Sequence, residues 1–502
     1  MLNKINNKQF TLEFYESIVK KYDLSNVWNV LIKFLKEKGV KFFSEKVVDF
    51  YEIGRLYEIG LAIKNKYLKK ETGKYYTPKD VSQLMAKLLI ENSTLTSIVD
   101  AGCGCGNLII ELLSQIKEKN PNHFDEIKKN IYLYDLDKTA LLICVARLST
   151  YFNIDDSIIH TNQEDFLSKK VIIPPNAFVI SNPPYSKIRD IDDNWEYKEA
   201  IFQSKDLYIG FIEKIICNSK KAVIVSPQSY IVGKKFSKIR EILYKNGNGE
   251  IYSFDNVPGT LFNGRKEGIF NTNSANGVRA SILVFNRSNI KGYRLTHLIR
   301  FKTYERDLVI NFDYIKNQLG KKIQNLSRPL KVFKELEDFV YSINNNKTIK
   351  DLLELDKYKQ KEKLCINVNS SARYFIVGSI TKMCRNGMYS LYAKDKNSFY
   401  QLYTLINSSY VYLWWRMLDG GILVSRNLIL DIPLPQNNFM CNDVISYCEK
   451  MMKEENKYLV YKKNAGKFQE SIKFPDQYRE RLNELMFGKY PFYLIHSNKE
   501  II

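Results

Sequence analysis

Apolar positions follow two rhythms between residues 73 and 286. Short runs of β-branched and aromatic residues, which suit buried strands, alternate with stretches whose apolar positions recur every three or four residues, as on one helix face. Val81, Leu84, Met85, Leu88 and Leu89 mark the first such helix, with Thr77 expected as its N-cap and Pro78 at its first position. Residues 97–100 then read as a strand, followed by a helix carrying Leu108, Ile109, Leu112, Leu113 and Ile116. The unit repeats with a strand at 131–135 and a helix through Ala140, Leu141, Val145 and Leu148. Further strands are expected at 178–181, 222–227 and 251–254, helices at 207–216 and 236–243, and a closing antiparallel strand at 278–285. Such alternation predicts one α/β domain with a Rossmann-like sheet.

The flanks read differently. Residues 1 to 68 show a charged helical pattern (Phe10, Phe14, Ile18, Val27, Val30, Leu31, Phe34) suited to a small cap or docking element. The polar segment 186–205 is expected to be a mobile loop. From about residue 300, charged helical stretches at 332–341 and 348–355 mix with β-like runs such as 374–377. An aromatic helix through Val411, Trp414 and Trp415 follows, then a Pro-Leu-Pro exit at Pro433, Leu434 and Pro435, and a charged helical tail over 440–488. The expected divisions are therefore 1–70, 71–300, 301–436 and 437–502.

Charge narrows the partners. The 502 residues hold 76 Lys and Arg against 55 Asp and Glu, a net charge of +21 with a pI of about 9.3. That balance favours a polyanion. The chain is also rich in Lys, Asn, Ile and Tyr, as A/T-rich coding dictates, so charge supports this reading without deciding it. No uncharged apolar run reaches the length of about 18 residues that a membrane span needs, and no apolar signal core follows Met1. Eight cysteines without zinc-site spacing and four histidines leave no expected metal site. The expected compartment is the cytoplasm.

Candidate chemistry lies at strand ends. Ala101-Gly102-Cys103-Gly104-Cys105-Gly106-Asn107 is a Gly-rich turn between strand and helix, where the backbone can approach a ligand closely. It lacks the Lys-Ser/Thr ending of a phosphate-binding P-loop and is out of step with the dinucleotide fingerprint. Asp135 ends the next strand where such sheets set an acid against ribose hydroxyls, and Asp165-Phe166 pairs an acid with an aromatic ring. Each acid alone reads equally as a cap or solvated loop residue. Asn182-Pro183-Pro184-Tyr185 stops the strand at 178–181. Its prolines remove two N–H donors, Asn182 adds a side-chain carbonyl, and Tyr185 adds a flat ring. That corner suits a planar amino group; the bland alternative is a strand-ending turn.

In this order the segments resemble an S-adenosylmethionine-dependent N6-adenine DNA methyltransferase of the gamma arrangement, in which cofactor motifs precede Asn-Pro-Pro-Tyr. The resemblance implies an α/β Rossmann-like methyltransferase domain followed by an α+β DNA target-recognition domain. It implies S-adenosyl-L-methionine as cofactor, with Tyr76, Thr77 and Pro78 at its methionine end. Asp100, Ala101, Gly102, Gly104 and Asn107 would hold its amino-acid moiety, Asp135 and Leu136 its ribose, and Asp165 and Phe166 its adenine, with Asn182 bordering it. Asn182, Pro183, Pro184 and Tyr185 would be catalytic: Asn182 and the Pro183 carbonyl accept the target amino group, and Tyr185 stacks on the base opposite Phe262. Arg373, Lys382, Arg385 and Arg426 would contact duplex DNA. The implied activity is methylation of a flipped-out adenine in restriction-modification, phage defence or epigenetic marking, with a cognate endonuclease or defence subunit as partner. An RNA adenine or a protein glutamine amide is the rival substrate, and a catalytically idle DNA-binding subunit is the rival from another class.

Overall fold

The computed structural model describes residues 77–496 apart from 257, 263–277, 328, 357, 373–374, 422, 437–438 and 465–466. The expected N-terminal helical element, Tyr76 and Arg373 lie outside the described residues. The chain forms two compact units. One runs to Pro329 apart from Thr296–Leu298, and the other comprises those three residues and the chain from Leu330 on.

In the first unit an eight-stranded sheet has the order β3-β2-β1-β4-β5-β7-β6-β8. Its strands are β1 (Ile98–Ala101), β2 (Ile131–Tyr134), β3 (His160–Asn162), β4 (Ala177–Ser181), β5 (Ser219–Pro227), β6 (Gly247–Phe254), β7 (Ala280–Arg287) and β8 (Gly292–Ile299). Strands β1 to β5 pair in parallel, while β7 runs antiparallel to both β5 and β6. Among its described residues the helices are α1 (Lys79–Ile90), α2 (Asn107–Lys119), α3 (Pro121–Ile127), α4 (Lys138–Phe152), α5 (Glu199–Ser204), α6 (Leu207–Asn218), α7 (Ser229–Val232), α8 (Ser237–Asn246), α9 (Arg306–Val309) and α10 (Phe312–Asn317). Successive strand residues face opposite sides. Val99, Ala101, Val179 and Ile224 pack with Ile209, Ile212 and Ile239 of α6 and α8, while α1 and α2 pack on one another and on β4. A sheet covered on both faces explains the near-continuous apolar strands. Strand order reverses between β1 and β4, which opens a crevice beyond their carboxyl ends.

Several sequence expectations change. Helix α1 begins at Lys79 with Pro78 as its N-cap, and Thr77 makes no capping bond. Strand β3 escaped notice because His160, Thr161 and Asn162 are polar and outward, so no apolar rhythm marks them. The expected mobile loop at 186–205 is tied down: Lys187 bridges to Asp206 and Trp195 to Ser168, and α5 lies within it. A single buried tryptophan supplies the apolar anchor that the polar composition concealed.

The second unit is mixed α/β, with a three-stranded sheet β10-β9-β11 made of β9 (Cys365–Asn369), β10 (Gly378–Ser379) and β11 (Met388–Tyr392). The β-like run at 374–377 sits beside β10 rather than forming a strand, and Tyr374 lies outside the described residues. Helices α11 (Glu337–Ser342), α12 (Lys396–Asn407), α13 (Ser409–Leu418), α14 (Arg426–Leu430), α15 (Asn442–Glu454), α16 (Asp476–Phe487) and α17 (Tyr493–His496) complete it, with a hairpin of β12 (Leu459–Asn464) and β13 (Lys467–Ile472). Trp414 and Trp415 are buried in its core. Val444, Cys448, Met451, Leu482 and Phe492 belong to the same core. Packing therefore places the unit boundary near Pro329 rather than 300, and leaves no separate tail after 436.

Candidate active site

A cavity of about 390 Å³ lies beyond the carboxyl ends of the parallel strands. Gly102 and Gly104 follow β1, Asp135 and Leu136 follow β2, Asp165 and Phe166 follow β3, and Asn182 and Pro184 follow β4; all line it. Four strand ends thus deliver residues from widely separated parts of the sequence to one crevice.

The Gly-rich turn is held open by its backbone. Gly102, Gly104 and Gly106 all have positive φ, at +77°, +51° and +88°, a region that costs other residues about 1–2 kcal/mol. A Cβ on Gly106 would lie 2.5 Å from the Cys144 Sγ, whereas one on Gly104 would meet nothing within 4 Å. Gly106 is needed for packing, and Gly104 keeps the cavity's floor bare. The Gly104 N–H and the Asp137 N–H donate to Asp135 at 2.8 Å each, so the carboxylate is fixed against the turn. Arg147, fully buried on α4, donates to the Cys105 carbonyl and to Asn107 Oδ1. Nothing in the local sequence pattern marked Arg147; a charged residue amid the apolar positions of α4 was the available signal.

Asp100 and Ala101 end β1 beneath the turn and do not line the cavity. Asp100 is completely buried, and neither carboxylate oxygen makes a hydrogen bond of ordinary geometry. Burial pushes its carboxyl well above the usual range, the Asp135 charge adds to the rise, and the Ile109 backbone N–H opposes it. The acids that do line the cavity beside the bare glycine cradle, Asp135 and Asp165, suit a ligand carrying hydrogen-bond donors.

Asn182 is gripped at both ends. Its Nδ2 donates to Thr77 Oγ1 at 2.8 Å, and its Oδ1 accepts the Tyr185 hydroxyl at 2.7 Å. The Tyr185 hydroxyl also lies 3.2 Å from the Val225 carbonyl. Thr77 is buried, and its own carbonyl accepts from Asn107 Nδ2 at 3.4 Å. The hydroxyl expected to cap α1 instead orients Asn182. Pro78 and Pro183 are buried beside this pair. Phe262 is brought to Tyr185, with ring centroids 6.1 Å apart and planes at 64°, so the two meet edge to face. Arg306 secures that loop: its guanidinium bonds the Thr260 and Leu261 carbonyls at 2.7 and 2.9 Å and pairs with Asp80 on α1.

Phe166 stacks on Phe211 of α6 at 4.9 Å, and Tyr134 meets its edge. Lys214, buried behind them, lies 5.5 Å over the Phe166 ring and donates to the Ser168 carbonyl; burial lowers its pKa. Phe211 and Trp195 line the cavity, though neither stood out in the sequence. In the second unit, Lys382 and Arg426 are exposed, and Arg385 is held by the Ser371 and Ser471 hydroxyls at 2.7 and 3.3 Å.

Residues 49–363 match the N-6 DNA Methylase family. The chain is 29% identical over 210 residues to the Type II methyltransferase M.BanIII of Aneurinibacillus aneurinilyticus, covering 37% of this chain and 36% of that protein. It is 26% identical over 189 residues to the Type II methyltransferase M.BsuBI of Bacillus subtilis, covering 35% and 37%. The match therefore spans little more than a third of those relatives' length. The structure of a nuclease-deletion mutant of the Type ISP restriction-modification enzyme LlaGI with a DNA substrate mimic aligns over 87% of this chain and 62% of that one, at 13% identity and a TM-score of 0.44. The family match takes in more than half of the chain, including every strand end that feeds the cavity, and the chain belongs to the N-6 DNA methylase family.

Proposed function

We propose that the chain is a site-specific DNA adenine-N6 methyltransferase that uses S-adenosyl-L-methionine and acts in the cytoplasm within a restriction-modification or defence system. One observation carries this reading. At the mouth of a nucleoside-sized cavity, Asn182 is clamped with Nδ2 on Thr77 and Oδ1 beside Tyr185, directly before two prolines that donate no N–H.

An adenine amino nitrogen is a poor nucleophile because its lone pair is delocalised into the ring. An amide oxygen has two lone pairs, so Asn182 Oδ1 can accept an amino N–H while keeping the Tyr185 hydroxyl. The Pro183 carbonyl would accept the second N–H. With both bonds made, the nitrogen turns its lone pair away from the ring. S-adenosyl-L-methionine, when bound, supplies an electrophilic methyl group. Asp100, the Gly102–Gly104 turn and Asn107 would hold its amino-acid end, Asp135 its ribose hydroxyls, and Asp165 with Phe166 its adenine. Rate enhancement then comes from position and from fixed dipoles rather than from a covalent intermediate. A duplex hides the amino group, so the base must leave the stack, with Tyr185 and Phe262 taking over its lost contacts. The second unit would read the DNA through Lys382, Arg385 and Arg426, phosphate before base edge, and a cognate endonuclease or defence subunit would be the protein partner.

The test is methyl transfer from labelled cofactor to unmodified genomic DNA, followed by nucleoside analysis. N6-methyladenine should form with the natural chain and not with Asn182→Ala, whose cofactor affinity by calorimetry should be unchanged. Cofactor binding without any N6-methyladenine would overturn the proposal.

A further inference from the structure

The segment after Tyr185 contributes a residue that the function above leaves unused. Trp195 is 7% exposed and lines the cavity. Its indole Nε1 donates to Asp165 Oδ2 at 2.7 Å. The backbone fixes the ring's position: Trp195 bridges to Ser168, the Lys169 N–H donates to the Asn194 carbonyl, and the Glu196 N–H donates to the Leu167 carbonyl. The other Asp165 oxygen, Oδ1, accepts the Leu167 N–H at 3.0 Å.

An indole has one N–H and no acceptor. Spending it on a carboxylate at this distance is a charge-assisted bond, stronger and more directional than one to a neutral oxygen. With one donor on each oxygen, Asp165 cannot rotate, and each oxygen still has a lone pair to offer. Oxygens fixed in this way, each already taking one donor, present lone pairs that suit a ligand N–H and not a ligand carbonyl, which is itself an acceptor. Trp195 shares an apolar cluster and the cavity lining with Phe166 and Phe211.

We infer that Trp195 is a positioning residue for purine selection: it holds Asp165 as a fixed acceptor for the exocyclic amino group of the cofactor's base. The inference rests on the proposed use of S-adenosyl-L-methionine. Through Asp165, Trp195 favours a 6-amino purine over a 6-oxo purine at this subsite.

The experiment uses the full chain, with S-adenosylhomocysteine and its 6-oxo analogue S-inosylhomocysteine as probes, titrated by calorimetry. Trp195→Phe keeps an aromatic wall and deletes the N–H. It should weaken S-adenosylhomocysteine about 10- to 150-fold, the range expected for a hydrogen bond to a charged group, and leave S-inosylhomocysteine nearly unchanged. The natural chain has four tryptophans, and its fluorescence change on binding should disappear in the variant. Trp195→Tyr, which retains a donor, should recover part of the preference and serves in place of Trp195→Phe should that variant not fold. Equal weakening of both ligands, or no weakening of either, would overturn the role of Trp195 while leaving the methyltransferase reading intact. Failure of the natural chain to bind S-adenosylhomocysteine would overturn both.

Discussion

Removing the Thr77 hydroxyl tests how much the orientation of Asn182 matters. Thr77→Val preserves shape at a buried position and deletes the acceptor that lies 2.8 Å from Asn182 Nδ2. The Thr77 carbonyl, which meets Asn107 at 3.4 Å, is untouched. A half-buried amide N–H left without a partner costs about 1–3 kcal/mol. If that cost falls on the reactive arrangement, single-turnover methyl transfer slows by roughly 5- to 150-fold, at one decade per ~1.4 kcal/mol. Affinity for S-adenosylhomocysteine should stay within about 2-fold, because Thr77, expected at the cofactor's methionine end, does not line the cavity. Tyr185→Phe removes the opposite grip. Turning an amide by half a rotation exchanges its oxygen and nitrogen, and either partner alone still defines which way it points. The double variant should therefore lose more than the sum of the single losses, with a coupling of about 0.5–3 kcal/mol. Rapid-quench assays on unmodified DNA would measure all three variants. A Thr77→Val protein that transfers at the natural rate, or strictly additive losses, would refute the clamp.

The glycines of the turn should separate by function. Gly106→Ala drives a Cβ against Cys144 and should lower the melting temperature by several degrees, whereas Gly104→Ala meets open space and should mainly weaken cofactor binding in calorimetry. Asp100 has a raised carboxyl pKa, so the folded state holds its proton more tightly than the unfolded chain does. Its contribution to stability is best below the unfolded value of about 3.9, declines as pH rises toward the folded value, and is flat above it. Asp100→Asn should abolish that slope in melts across the acidic to neutral range and raise ligand-free stability at neutral pH, while losing cofactor affinity; an unchanged slope would contradict the burial. Arg306→Met removes bonds to two carbonyls and Asp80, at about 1.5–3 kcal/mol for a charged donor. Limited proteolysis should then cut near residue 262 at lower protease concentration than in the natural chain, and equal resistance would count against the strut.

Much of the first unit was legible because its strands are buried on both faces and announce themselves as apolar runs. The sequence order of the Gly-rich turn, Asp135, Asp165-Phe166 and Asn182-Pro183-Pro184-Tyr185 also anticipated which strand ends meet. What escaped was long-range pairing. The Thr77 hydroxyl looked like a helix cap because capping is a local rule, while its actual partner is 105 residues away. Trp195 and Arg147 sit in stretches whose average character is opposite to their own, so composition averaged them out. The hairpin strands, LVYKKN in β12 and KFQESI in β13, lack a regular apolar alternation and so give little periodic signal.

The shared core of the second unit has a consequence for how the chain comes off the ribosome. Phe339, near the unit's start, contacts Phe487 and Phe492 near its end, and Tyr410 stacks on Phe487 at 5.5 Å. None of those contacts exists until the last stretch has been synthesised. The first unit, complete by Pro329, can close its sheet while translation continues. The second must wait with its aromatic residues open to water, and that interval is when the nascent chain is most vulnerable to aggregation and most dependent on chaperones.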